Sequence, residues 1–318
     1  MTLTRRTLAA GAAALALPSL AMPSIARAAT RVRIGYQKNG SLVILRQQRR
    51  LDPIGLVPEW VEFTSGPPML EALNAGAVDF GATGDMPPIF AQAAGADLLY
   101  VGAQPLAGQN AAILVRADGP VRTLADLRGK KFAFTKGSSA HYVALRALER
   151  AGLTMADIQH VNLQPADAGA AFRTGAVDAW SIWDPFYAIA EQDSANRVLT
   201  SAVGLAPSNS YFVASRAFAT KESAAVATLL DAINSAAVWA RANPEALAQT
   251  MAEVTGVPLP AQRLAAPRGV YAVQKLDEGI IAKQQEIADL FATLRVIPAR
   301  IDIRSAVWRP ALAEGVAQ

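Results

Sequence analysis

One short pattern occurs twice in the sequence and constrains the fold more than any other feature. Gly-Ala-Val-Asp begins at Gly76 and again at Gly175. In both copies a second aspartate follows nine positions after the glycine, at Asp85 and at Asp184, and a proline lies within the next two positions. A repeat of this kind predicts two similar α/β halves, which would face each other across a cleft.

A second pair of turns keeps nearly the same spacing. Residues 36–41 read Tyr-Gln-Lys-Asn-Gly-Ser and residues 134–138 read Phe-Thr-Lys-Gly-Ser, so that Lys38 and Lys136 are 98 positions apart, against 99 for the repeated glycines. Strand-like and helix-like segments alternate around both pairs, with short glycine-rich turns between them. This alternation is typical of an α/β fold with largely parallel sheets.

Two extended apolar segments predict the connections between the halves. Ala111–Arg116 would carry the chain out of the first half, and residues 210–215 would carry it back. A hinged protein with two lobes needs two such crossing strands. We therefore expect residues 29–113 and 213–318 to form lobe 1, and residues 114–212 to form lobe 2.

The N-terminus has the pattern of an export signal. It carries the twin arginine Arg5-Arg6, then an apolar stretch that ends near Met22, then an A-x-A cleavage motif at residues 26–28. The alternatives, a membrane anchor or a core helix, are disfavoured because the stretch is short for a bilayer and ends in small residues. We expect residues 1–28 to be a cleaved twin-arginine signal and the mature protein to be periplasmic.

Composition argues against several classes of function. Without Arg5, Arg6 and Arg27 of the leader, 27 basic residues face 26 acidic ones, so a nucleic-acid partner is not expected. The sequence contains no cysteine and only two histidines, His141 and His160. Walker A, Gly-x-Gly-x-x-Gly and Gly-x-Ser-x-Gly motifs and metal-ligand clusters are all missing from it. The sequence therefore predicts no catalytic residue, no metal and no cofactor.

The predicted cleft carries groups that suit a small anion. Three predicted helix starts are rich in glycine and serine, at residues 39–41, 65–66 and 137–139, and free N–H groups at helix starts bind oxyanions. Strand alternation would send Trp180 and Trp183 to opposite faces, so one of them could line the cleft. Asp85 and Asp184 could form an acid–base pair, but capping of the following helix is the commoner role at such positions.

Longer motifs extend this interpretation over essentially the whole mature chain. They are Ile34-Gly-Tyr-Gln-Lys-x-Gly-Ser41, Glu59-Trp-Val-Glu-Phe63, Gly66-Pro67-Pro68, the segment from Asp79 to Asp97, Lys136-Gly-Ser-Ser-x-His141, Pro165-Ala-Asp-Ala168, Val177-Asp-Ala-Trp-x-Ile-Trp-Asp-Pro-Phe186 and Ile301-Asp-Ile-Arg304. Together they resemble the aliphatic-sulfonate-binding proteins of ABC importers. The resemblance implies a type II periplasmic-binding-protein fold, with two lobes that close on an alkanesulfonate. It also implies a monomer that delivers its ligand to a membrane permease with its ATPase, for sulfur acquisition.

The same resemblance implies which residues border the ligand. They are Gln37, Ser41, Gly66, Pro67, Gly84, Asp85, Ser138, Ser139, His141, Trp183 and Asp184. Arg268 and Tyr271, in a segment of irregular pattern, could also face the cleft.

Receptors for taurine, nitrate or another small anion remain alternatives within the wider superfamily, and Asp85 or Asp184 could face the ammonium group of taurine. Desulfinases resemble this fold but use a cysteine nucleophile, which this chain lacks.

Overall fold

The computed structural model describes residues 29–206, 208–269 and 272–310, and these form ten strands and eleven α-helices. The strands are β1 Thr30–Tyr36, β2 Leu56–Glu62, β3 Phe80–Thr83, β4 Leu98–Leu106, β5 Ala111–Arg116, β6 Lys131–Ala133, β7 Gln159–Val161, β8 Ala179–Trp183, β9 Asn196–Ser201 and β10 Ser208–Ser215. The helices are α1 Ser41–Gln47, α2 Gly66–Asn74, α3 Met86–Ala93, α4 Ser139–Arg150, α5 Pro165–Arg173, α6 Phe186–Glu191, α7 Arg216–Lys221, α8 Ser223–Ala242, α9 Pro244–Thr255, α10 Leu259–Arg268 and α11 Glu278–Thr293. The predicted export signal and Tyr271 lie outside the described residues.

The strands form two sheets with matching topology. The first has the order β2-β1-β3-β10-β4 and the second the order β7-β6-β8-β5-β9. In the first sheet β1 is parallel to β2 and β3, while β10 is antiparallel to β3 and β4. In the second sheet β6 is parallel to β7 and β8, while β5 is antiparallel to β8 and β9. The predicted α/β fold with two similar halves is confirmed.

The repeated Gly-Ala-Val-Asp pattern makes the same turn in both halves. Each copy begins at a glycine with φ of 73°, a left-handed conformation that residues with a Cβ rarely adopt. A carboxylate oxygen of Asp79 accepts the N–H of Arg33 at 2.8 Å, and one of Asp178 accepts the N–H of Lys131 at the same distance. Asp79 thus ties the turn before β3 to β1, and Asp178 ties the turn before β8 to β6.

The structure corrects the predicted crossing segments. β5, which is Ala111–Arg116, is hydrogen-bonded on both edges within the second sheet, and β10 is hydrogen-bonded on both edges within the first. A strand paired on both sides in one sheet does not bridge two sheets, so the prediction that these strands cross is wrong. The chain passes between the sheets at residues 107–110 and again after Ser201. The division into two lobes that move relative to each other stays a prediction.

The hydrophobic cores hold each half together and also join the halves. Helix α8 is long and apolar enough to cross a membrane, but its Leu229 and Ile233 are buried in one core with Ile34 of β1. Another core extends across both halves, where the Tyr142 ring of α4 lies 5.9 Å from the Phe291 ring of α11 in an edge-to-face arrangement. The two halves are therefore in direct contact through this core.

Candidate ligand-binding site

A cavity of about 140 Å³ lies between the two halves. Nine of the predicted site residues line it: Gln37, Ser41, Gly66, Gly84, Asp85, Ser138, Ser139, Trp183 and Asp184. Pro67 and His141 are not among its lining residues. The contact of each of the eleven with a ligand stays a prediction, but the turns that the sequence singled out do meet at one place.

Hydrogen bonds join the two halves at the cavity and elsewhere along the cleft. The side-chain amide of Asn39 donates to the carbonyl oxygen of Asp184 at 3.2 Å. The hydroxyls of Thr64 and Ser65 in the first half donate to the side-chain oxygen of Gln164 in the second, at 3.1 and 2.9 Å. These contacts join turns that are about a hundred residues or more apart in the sequence, so the cavity is enclosed by both halves.

The helix starts around the cavity differ in the donors they offer. α1 and α4 both begin without a side-chain cap, although the N–H of His141 in the first turn of α4 donates to the carbonyl oxygen of Ser138 at 3.0 Å. α2 and α3 each carry prolines in the first turn, and proline has no N–H to donate. The N–H of Met86, at the start of α3, is already taken by Asp85 at 2.8 Å. Backbone donors therefore come mainly from α1 in the first half and α4 in the second.

The two serines at the start of α4 have different roles. Ser138 donates its N–H and its hydroxyl to the carbonyl oxygen of Thr135, at 3.2 and 2.7 Å. Ser139 is the first residue of α4 and lines the cavity, and its hydroxyl has no hydrogen-bond partner in the described part of the chain. Ser139 is therefore the better candidate for donation to a ligand, while Ser138 shapes the turn.

His141 lies behind this turn. Its ring stacks on Phe134 at 5.0 Å with 16° between the planes, and its Nδ1 accepts the N–H of Gly137 at 3.3 Å. Burial, with smaller contributions from nearby positive charge, lowers the pKa of His141 to about 3. A neutral imidazole can accept this hydrogen bond, so the geometry gives His141 a supporting role in the turn.

Buried polar side chains of the first half complete the polar end of the cavity. The hydroxyl oxygen of Ser41 accepts a hydrogen bond from the side chain of Gln104 at 2.7 Å. Thr83 has a buried hydroxyl without a hydrogen-bond partner among the described residues. The sequence analysis missed both Gln104 and Thr83. The available signals were a glutamine in the otherwise apolar strand β4 and a threonine beside the conspicuous Gly-Asp pair.

Asp85 and Asp184 both act as helix caps. Oδ1 of Asp85 accepts the N–H of Met86, as described above, and its side chain is fully buried. Oδ1 of Asp184 accepts the N–H of Ala188 in α6 at 3.0 Å and lies 3.5 Å from Nη1 of Arg268. Burial raises the pKa of Asp184 to about 7, against the lowering effect of Arg268. Capping, which the sequence favoured for both aspartates, is confirmed.

The two tryptophans of β8 lie on opposite faces of the second sheet. Trp180 is buried in the core, with its ring 5.9 Å from that of Phe172. Trp183 is half-buried and lies on the cavity wall, to which Leu106 and Met251 also contribute. The cavity therefore has a polar end built from helix starts and an apolar wall that includes one aromatic ring.

Comparison with known proteins identifies the family. A family model described as NMT1/THI5 like matches residues 61–247, which is more than half of the chain. An aliphatic sulfonates-binding protein of Escherichia coli is 43% identical over 290 residues, which cover 89% of this chain and 90% of that protein. The chain belongs to the family of the aliphatic-sulfonate-binding proteins. The resemblance seen in the sequence motifs is thus confirmed.

Solved structures of family members have the same fold. The crystal structure of the periplasmic aliphatic sulphonate binding protein SsuA from Escherichia coli aligns with a TM-score of 0.81 and 42% identity, over 90% of this chain and 94% of that one. The alkanesulfonate-binding protein SsuA from Xanthomonas axonopodis pv. citri, bound to MOPS, gives a TM-score of 0.85 and 43% identity, over 88% of this chain and 98% of that one. The desulfurization enzyme DSZB shares the fold at 18% identity, with a TM-score of 0.67.

Proposed function

We propose that this protein is an exported, monomeric solute-binding receptor that captures aliphatic sulfonates between two lobes. It delivers them in the periplasm to an ABC permease with its ATPase, for sulfur acquisition. The family members with more than 40% identity support this proposal, because they are sulfonate-binding proteins and the Escherichia coli protein is periplasmic. Export through the leader at residues 1–28 belongs to the same proposal.

The observation that carries the proposal is the pair of uncapped helix starts at α1 and α4. They meet at one cavity from opposite halves, so one anion can accept hydrogen bonds from both only when the halves are closed. A sulfonate has three equivalent acceptor oxygens and a single negative charge, which suits several neutral donors. Ligand binding would thereby stabilise the closed state over an open one.

The alternatives are less well supported by the geometry. Taurine needs a carboxylate directed at its ammonium group, but Asp85 and Asp184 each use one oxygen as a helix cap, and Asp184 also lies beside Arg268. Enzymatic desulfination would need a nucleophile such as the cysteine of the desulfinases, and the chain contains no cysteine. The desulfurization enzyme is similar to this chain in fold alone.

A calorimetric panel on the purified mature chain tests the proposal. Methane-, ethane- and butanesulfonate should bind, and sulfate, nitrate and taurine should bind more weakly or not at all. Each bound sulfonate should also raise the melting temperature, since ligand at a hundredfold excess over its Kd stabilises by about 2.7 kcal/mol. Equal affinity for sulfate and butanesulfonate would refute sulfonate specificity.

The adjacent serines at the start of α4 provide a matched pair of variants. Ser139→Ala should weaken sulfonate binding about tenfold or more, because a hydrogen bond to a charged group contributes about 1.5–3 kcal/mol. Ser138→Ala removes a hydroxyl that donates to Thr135, so it should lower the melting temperature more than the affinity. The reverse ranking of the two affinities would contradict the assigned donor.

A further inference from the structure

A cluster of charged and aromatic side chains joins the two halves beside the cleft. Arg268, the last residue of α10, lies against α6 of the other half: its Nη2 is 2.5 Å from Oε1 of Glu191, and its Nη1 is 3.5 Å from Oδ1 of Asp184. Its guanidinium carbon also lies 4.4 Å from the ring centroid of Tyr187. The side chains of Arg268 and Glu191 are 20% and 18% exposed, so this is a partly buried cluster and not a surface ion pair.

An apolar contact accompanies the cluster. Ala188 of α6 is fully buried and forms a small hydrophobic core with Val257, Ala261 and Ala265 from the α9–α10 region. Helix α10 packs extensively on α9, which in turn contacts α1 and α8 of the first half. Helix α6 therefore meets a surface that belongs to the first half.

The cluster lies next to the candidate site but outside it. Arg268 and Glu191 are not among the lining residues of the cavity, whereas Trp183 and Asp184 are. Asp184 therefore belongs both to the cavity wall and to the cluster. The contact of Arg268 with Asp184 therefore links α10 to the turn that carries Trp183 and Asp184.

We propose that Arg268 is a positioning residue, which ties α10 to α6 and to the 183–185 turn and so stabilises the closed cleft without touching the ligand. The proposal rests on the proposed function, because it concerns the closure that sulfonate binding requires. Separation of α6 from α10 would break the contacts of Arg268 with Glu191, Asp184 and Tyr187 together.

Stabilisation of the closed cleft by Arg268 would affect the affinity for every ligand. The apparent Kd equals the intrinsic Kd divided by the fraction of ligand-free protein that is in the binding-competent state. Loss of the cluster should therefore raise the Kd of every sulfonate by the same factor, which we expect to be about fivefold or more. A residue that contacts the ligand would change the Kd by factors that differ between ligands.

Glu191→Gln separates closure from a simple effect of charge. If the cluster acted only through its electric field on a bound anion, removal of the Glu191 carboxylate would strengthen anion binding. If the cluster holds the cleft closed, Glu191→Gln should weaken binding, as Arg268→Met should. In the double variant the two effects should not add, because either substitution already breaks the ion pair.

Arg263→Met is the matched control. Arg263 lies on the same helix α10 and pairs with Glu245 at 2.6 Å, but both partners belong to the α9–α10 region and the pair does not cross the cleft. We would measure Kd for methane- and butanesulfonate by calorimetry, the melting temperature, and the radius of gyration of the ligand-free proteins by X-ray scattering. Arg263→Met should bind within about twofold of the wild type, as expected for an exposed pair.

The outcomes decide between the two proposals. If the wild type binds no sulfonate, the proposed function is overturned. Scattering of the ligand-free proteins then decides the role of Arg268. A larger radius of gyration for Arg268→Met than for Arg263→Met supports that role, and equal radii overturn it. With a binding wild type, unchanged Kd values for Arg268→Met, ligand-dependent factors, or tighter binding by Glu191→Gln overturn the inference. If Arg268→Met does not fold, Glu191→Gln alone decides it.

Discussion

Gly84→Ala tests how closely the two halves approach each other around the ligand. A Cβ at this position would lie 1.8 Å from Oγ and 3.1 Å from Cβ of Ser139, which belongs to the opposite half. Apart from its chain neighbours, no other atom comes within 4 Å. Because φ of Gly84 is not in the left-handed region, alanine fits the backbone, so the clash arises only when the cleft closes.

The size of the effect follows from these two distances. The hydroxyl of Ser139 can rotate away, but it then no longer points toward the cavity, and a donor to the anion worth about 1.5–3 kcal/mol is lost. The remaining contact of 3.1 Å between the two Cβ atoms requires the halves to separate by a few tenths of an ångström. Either response weakens binding, and we expect a rise in the sulfonate Kd of about tenfold or more.

Calorimetry with butanesulfonate measures the effect, and the melting temperature of the ligand-free protein checks the fold. Gly279→Ala in α11 is a suitable control, since its Cβ would meet only Oδ1 of Asp277 at an ordinary 3.4 Å. Gly84→Ala should melt close to the wild type in the absence of ligand. Wild-type affinity in a folded Gly84→Ala variant would refute the argument that ligand binding needs this close approach.

Three further predictions concern single side chains. Affinity should rise from methane- to butanesulfonate by about 0.8 kcal/mol per buried methylene, and Trp183→Ala should flatten this series in calorimetry, whereas Trp180→Ala should lower the melting temperature by cavity formation. Burial raises the pKa of Asp184 from its usual 3.8 to about 7, so its contribution to the stability of the fold is complete below pH 3.8 and is lost as the pH rises through about 7. Asp184→Asn should remove this part of the pH dependence of the melting temperature. The lowered pKa of His141 affects stability in the opposite direction: its contribution is complete above pH 6.5 and is lost as the pH falls toward 3. His141→Leu should weaken sulfonate binding, and His141→Gln, which keeps an acceptor for the N–H of Gly137, should restore part of the affinity. An unchanged pH profile in Asp184→Asn, or no difference between the two His141 variants, would contradict these assignments.

The repeated sequence pattern was enough to predict the two similar halves and the meeting of their turns. Its glycines and aspartates carry backbone information: a left-handed turn at the glycine, and a carboxylate that binds the N–H of Arg33 or Lys131. Such local rules hold wherever the pattern occurs. The glycine- and serine-rich helix starts at Ser41 and Ser139 could be predicted to face a cleft from the sequence alone, whereas the choice of Trp183 over Trp180 rested on the resemblance to the sulfonate-binding proteins.

What the sequence could not predict depends on contacts between distant residues. Ser138 and Ser139 look alike in the sequence, and only the position of the Thr135 carbonyl decides which hydroxyl is already used. The contact between Arg268 and Glu191 joins residues 77 positions apart on different halves. The crossing segments were misplaced because an apolar strand that pairs within one sheet has the same pattern as one that links two sheets.

The strand order of the first sheet determines when each half can be completed during synthesis. β10 lies between β3 and β4, so the first sheet lacks an inner strand until residues 208–215 have been made. All five strands of the second sheet, in contrast, lie between Ala111 and Ser201. The first sheet must also close a longer stretch of chain, since β10 pairs with β3 across more than a hundred residues, and such long-range pairing is slow. The second half can thus finish folding first, while the sheet of the first half remains incomplete until β10 has been synthesised.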